Sequence, residues 1–144
     1  MMKLKPSSAG KTGNLLTSGE LITHVTGGAN LVDGKQTWQL TDRKDDIETM
    51  KKCCDAELKT MQLAGVAPSP FYFERVAILS RKQKNYQQEV QYCEMYIQAV
   101  DQFYSAPGCD GYADVRKGPR YHAILNRLIK AKDLLNQVHC KSKT

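Results

Sequence analysis

Between Tyr86 and Tyr104 the apolar or soft residues Tyr86, Val90, Cys93, Ile97, Val100 and Tyr104 recur at alternating intervals of four and three. That spacing holds one stripe on one side of an α-helix, and a striped helix must pack against something. Just upstream, Phe71-Tyr72-Phe73-Glu74-Arg75-Val76-Ala77-Ile78-Leu79 supplies a second helix after a short polar turn. The pattern predicts a helical hairpin, which is a scaffold for binding and brings no chemistry of its own.

Two more helices follow from the same reasoning. One spans Arg43 to about Leu63, with Asp42 as N-cap and Ile47, Met50, Cys54, Leu58 and Met61 as its stripe. Gly65 stops it, and Pro68-Ser69-Pro70 leads into the hairpin, with Ser69 as N-cap and Pro70 at the first helical position. Asn85 opens the second hairpin helix, with Gln88 as its capping-box partner. Residues 105–118 read as a long glycine-rich loop. The last helix begins at Pro119 and reaches about Val138, along Tyr121, Ile124, Leu125, Leu128, Ala131, Leu135 and Val138. Four helices joined mostly by short turns predict an all-α antiparallel helical array over 42–140.

Residues 1–41 differ. Gly10, Gly13, Gly19, Gly27, Gly28 and Gly34 separate short apolar patches. Leu15-Leu16 with Glu20–Thr26 suggests one short strand and Lys35–Leu40 a second, joined through a turn at Asp33-Gly34. The glycines predict a flexible or weakly ordered N-terminal arm, anchored on the helices by Trp38 and Leu40.

With 144 residues the chain has room for one domain and a small core, not a catalytic cleft between domains. Its net charge of +6 is uneven. Residues 106–144 hold eight Lys/Arg against three Asp/Glu, so +5 of the excess lies there. Such an excess suits a nucleic acid, an anionic surface or an acidic protein, and equally an ordinary solvated surface. The five cysteines, Cys53, Cys54, Cys93, Cys109 and Cys140, form an odd, unpatterned set. They suggest a reducing cytoplasm, with Cys54 and Cys93 as small core residues. Met1 to Lys11 holds no apolar core long enough for a signal peptide, and no run approaches the length of a membrane span.

The hairpin resembles one tetratricopeptide-type repeat, about 34 residues of helix–turn–helix. Phe73, Val76 and Ala77 match the large, aliphatic and small positions of the first helix, and Lys82-Gln83-Lys84-Asn85-Tyr86 is similar to the turn. Val90, Cys93 and Ile97 match inward positions of the second helix. Ser80 stands where an aromatic is usual, Lys84 where glycine is usual, and Glu89 where alanine is usual. The likeness covers residues 70–104 and implies protein recognition. Pro70 to Val90 also resembles helical segments beside HIRAN domains in bacterial proteins, which implies a bacterial or phage origin.

Catalytic patterns are poor. Gly10-Lys11-Thr12 is not a P-loop, because Lys5 stands where the first glycine belongs and no strand precedes it. His24, His122 and His139 lack the paired spacings of a metal site. Cys109, beside Asp110 and with His122 thirteen residues on, is the one arrangement that suggests a thiol enzyme. The expectation is a non-enzymatic protein-interaction module with no metal and no cofactor. It would recognise an unidentified protein through Tyr72, Arg75, Tyr92 and Tyr96, and a second copy of the chain stays open as partner. The alternative is nucleic-acid or polyanion binding by Arg116, Lys117, Arg120, Arg127 and Lys130, with Tyr112 and Tyr121 nearby to stack a base.

Overall fold

The computed structural model describes residues 17–106 and 114–142. Leu15-Leu16, Gly10-Lys11-Thr12, Cys109 and Tyr112 lie outside the described residues. Five α-helices carry most of what is described: α1 Ser18–Thr26, α2 Ile47–Ala64, α3 Pro70–Lys82, α4 Tyr86–Ser105 and α5 Pro119–Ser142. A hairpin of β1 Leu31–Val32 and β2 Lys35–Gln36 precedes a 3-10 helix, Thr37–Arg43, and a second 3-10 turn spans Val115–Lys117.

Residues 17–41 are folded, not a loose arm. Glu20–Thr26 is helical, where alternation suggested a strand. Thr17 and Glu20 close a capping box around the start of α1, and Gly27 ends it at φ 65°, so local capping overrides a weak period-two pattern. Asp33-Gly34 does make the turn, pairing Leu31 with Gln36 and Val32 with Lys35 in antiparallel register. Val32 and Leu40 enter the core, whereas Trp38 stays 64% exposed, so Leu40 alone of the two expected anchors holds this segment.

Asp46 caps α2, four residues beyond the expected Asp42, because Asp42 lies within the 3-10 helix. Its carboxylate accepts from the backbone of Glu48 and Thr49 and from the Thr49 hydroxyl. These bonds, the Thr49 hydroxyl first, hold its pKa below the usual aspartate value. Gly65 ends α2 at φ 68° as expected. Ser69 precedes α3 but its side chain makes no cap; its amide instead donates to Glu57 Oε1 at 2.7 Å.

α3 packs on α2 and α4, and α4 on α3 and α5. The core joins Met50, Cys53 and Cys54 of α2, Phe73, Val76 and Ala77 of α3, Tyr92, Cys93, Tyr96 and Val100 of α4, and Ile124 and Leu128 of α5. The buried face of α4 (Glu89, Tyr92, Cys93, Tyr96, Ala99, Val100 and Phe103) is rotated from the predicted stripe. Val90, Ile97 and Tyr104 sit half-buried along its edge. A helix enclosed on several sides hides more than one seam, and tyrosines belong to that interior.

Lys84, in the α3–α4 turn, has φ 59°, a left-handed conformation that costs a side-chain-bearing residue about 1–2 kcal/mol. Lys84→Gly is expected to stabilise the chain by about 0.5–1 kcal/mol, after the larger chain entropy of glycine is subtracted. A urea midpoint that rises without a change in slope is the expected readout.

Candidate functional site

Tyr72, Tyr92 and Tyr96 do not line a groove. All three are buried, Tyr96 completely, with its ring 5.5 Å from Phe73 and 6.5 Å from Tyr121. Burial pushes the Tyr96 and Tyr72 hydroxyls up to about 12. Falling off the α4 seam of aliphatic residues, these rings could have lined a groove or packed on a neighbouring element, and they pack into the core. Arg75 is also occupied: it reaches Asp45 at 2.8 Å and donates to the Lys44 carbonyl, tying α3 to the approach of α2.

The basic set is largely spent on internal pairing. Arg116 grips Asp114 at 2.9 Å, approaches Asp101 at 3.7 Å and stacks over the Tyr104 ring at 5.2 Å. Its guanidinium, by hydrogen bonding, holds the Asp114 carboxyl down at about 2. Arg120 meets Glu74 across to α3, and Lys130 lies 3.9 Å from Asp133. Lys117 is solvent-exposed in the 3-10 turn before α5. Arg127 faces inward.

That inward turn exposes a feature the sequence reading passed over. Glu89 is fully buried. Arg81 of α3 donates Nε to its Oε1 at 3.0 Å and brings Nη2 to Oε2 at 2.9 Å. Arg127 of α5 donates to Oε2 at 2.8 Å. Beside it, Gln88 Nε2 donates to the buried Ser80 hydroxyl at 2.9 Å, and that hydroxyl donates to the Val76 carbonyl. One carboxylate thus joins three helices. The signal was available: a glutamate in phase with core residues, eight positions after one arginine, on a chain with an apolar-flanked arginine in its last helix.

α5 outlasts its cover. Ile124, Leu128 and Ala131 are buried, and the same stripe continues through half-buried Leu135 to Val138, which is 45% exposed. α5 has 24 residues against the 20 of α4, and exposure rises along its last turns.

A second acid sits on α2. Glu57 accepts from the Thr37 hydroxyl at 2.9 Å and from the Ser69 amide at 2.7 Å. Burial nevertheless pushes its carboxyl above the usual glutamate value, since these two bonds offset only part of the lost hydration.

Among the described residues, no group of three His, Cys, Asp or Glu side chains converges to hold a metal, and no helix is long and apolar enough to cross a membrane. Burial raises the thiols of Cys53, to about 11, and Cys93, to about 12; Cys54 moves the same way. Both members of the vicinal pair are buried because α2 is covered by the hairpin segment on one side and by helices on the other.

Arg127→Ala is expected to cost about 3 kcal/mol in urea unfolding, because Glu89 would remain buried with one cation removed. Arg120→Ala, which removes a mostly exposed guanidinium from the partly buried Glu74, is expected to cost less than Arg127→Ala, about 1 kcal/mol. Glu57 has the opposite pH signature from a paired carboxylate. Its raised folded pKa means the fold takes up a proton more readily than the unfolded chain. Its contribution is therefore most favourable below the unfolded value of 4.5 and declines as pH rises through the folded pKa. Glu57→Gln is expected to raise the melting temperature at pH 7, with the difference closing at pH 4. The replacement amide can accept from Ser69 and donate to the Thr37 hydroxyl.

No family model matches the chain, and comparison with curated proteins and with solved structures finds no match.

Proposed function

We propose that this chain is a non-enzymatic protein-interaction module built on a tetratricopeptide-like hairpin, α3–α4, with α5 as the following helix. The observation that carries the reading is the apolar stripe of α5 that continues beyond its cover through Leu135 and Val138. A repeat of this class stacks each helix on its neighbour, and the last apolar face awaits a partner. The departures at Ser80 and Glu89 are compatible with the resemblance. Both belong to one polar seam, in which Gln88 satisfies Ser80 and two arginines satisfy Glu89.

The chemistry of the surface selects the partner. Lys130, Lys132 and Lys141 lie on the same helix as the stripe; Lys132 pairs with Glu94 of α4 at 3.5 Å and Lys130 lies 3.9 Å from Asp133, leaving a net positive end to α5. An apolar segment flanked by carboxylates fits it, the apolar part giving affinity and the charges steering the encounter. The recognition surface therefore lies on α5 and not on the tyrosines of α3 and α4.

The test is capture from host lysate by the tagged full chain, with nuclease and without, beside the Leu135→Asp/Val138→Asp double variant. A protein that persists after nuclease and falls at least about tenfold in the variant, whose circular dichroism is unchanged, is the expected outcome. Nucleic acid as the sole retained species, released by charge reversal at Lys117 and Lys130, would replace this reading with the polyanion one.

A further inference from the structure

A cavity of about 440 Å³ opens between α1, the 3-10 helix and α2, walled by Ile22, Asn30, Trp38, Glu57, Val66 and Ala67 among others. That is within the size range of small-ligand pockets, about 300–1,000 Å³. Its apolar walls and single indole give it a body, and its polar lining holds the hydroxyls of Ser18, Thr37 and Thr60, the amides of Asn30 and Gln36, and one charged group, Glu57. Asn30 is buried, and its Oδ1 has no hydrogen-bond partner, although its amide reaches the Gly19 carbonyl at 3.5 Å. Buried side-chain oxygens are rarely left so, and each such case calls for an explanation. Glu57 is a partly buried carboxylate that takes part in none of the ion pairs among the described residues. Each of its oxygens already accepts one bond and retains a further lone pair. No lysine, arginine or histidine lines the cavity.

The indole is held in place. Trp38 Nε1 donates to Gln36 Oε1 at 2.9 Å, which occupies its only donor. A Cβ at position 19 would collide with that same Gln36 oxygen, so Gly19 leaves the space in which the amide fixes the ring. The result is a pocket with acceptors, one uncompensated carboxylate, a tethered aromatic wall and no cation.

We propose that this cavity binds a small organic ammonium group carrying a short apolar or aromatic body. The ammonium would donate to Glu57 and Asn30, and the body would lie against Trp38, Ile22 and Val66, where an aromatic face also attracts the cation. A free amine and the side chain of a partner's lysine present this same chemistry. The site is independent of the α5 surface. The carboxylate that burial disfavours is kept because a ligand, not a residue of the described fold, supplies its counter-charge. Such retention of a destabilising polar group is the usual mark of function over stability.

Trp38 is the chain's one tryptophan, so its emission reports on this site alone. The experiment titrates the full chain at pH 7.5 with benzylammonium, with the neutral isostere benzyl alcohol, and with N-acetyl-lysine methylamide. A saturable change with an ammonium probe, at least about tenfold weaker for benzyl alcohol and for Glu57→Gln, is expected. Val66→Phe, which fills the cavity from the loop and leaves Glu57 intact, is expected to abolish it. Tighter binding of the lysine derivative assigns the site to a protein partner, and tighter binding of benzylammonium assigns it to a free amine. Equal titration by amine and alcohol, undiminished binding to Glu57→Gln or Val66→Phe, or no saturation by about 10 mM of either amine would overturn the proposal.

Discussion

A carboxylate cut off from water is tolerated only where other charges and donors replace its hydration, and Glu89 is completely cut off. Its two oxygens are met by Arg81 from α3 and Arg127 from α5, at 2.8–3.0 Å. The guanidinium of Arg81 also reaches the Arg127 carbonyl at 3.5 Å, so the third and fifth helices touch through the charge of the fourth. Apolar surfaces alone would let these helices slide by a turn at little cost. A buried charge with two fixed partners does not, because any other register strands it. The rotation of α4 that buries Tyr92 and Tyr96 goes with this arrangement, since Glu89 shares their face.

Much of this architecture is legible from residue order. The helices at 70–82 and 86–105 follow from periodicity, and Pro70, Asn85 and Gly65 mark boundaries that the structure keeps. The start of α2 was less legible, because Asp42, Asp45 and Asp46 are all plausible caps and the intervening turn is 3-10. Residues 18–26 were misread, since nine residues with glycines at both ends give a weak period, and capping contacts decided the outcome. For the candidate site, local pattern left the decisive contacts open. The tyrosines were open to a groove or to packing and the arginines to a polyanion or to solvent, and tertiary packing drew the rings inward and turned Arg127 onto an acid. Polarity predicts exposure only until a partner is found, and a partner 38 residues away is invisible to local pattern.

The two partly or fully buried glutamates show how differently one side chain can be used. Glu89 is neutralised within the fold and serves as a fastening among helices. Glu57 is hydrogen-bonded without being neutralised, at the wall of an open space beside an exposed indole. The first belongs to stability and register. The second, with the uncovered end of α5, belongs to the part of the surface that the fold itself leaves unused. They lie on different elements, so the chain can offer a polar pocket at one place and an apolar face at another without either disturbing the core.

The distribution of sulfur has its own consequence. Cys53 and Cys54 on α2 and Cys93 on α4 are buried, while Cys140 near the end of α5 is exposed. Alkylating reagents attack the thiolate, and burial both hides these three sulfurs and suppresses their ionisation. Among the described cysteines, Cys140 is open to reagent in the folded state, whereas Cys53, Cys54 and Cys93 wait for α2 and α4 to part. Their modification rate is then a measure of how often the centre of the molecule opens, referenced within the same chain to a thiol that needs no opening.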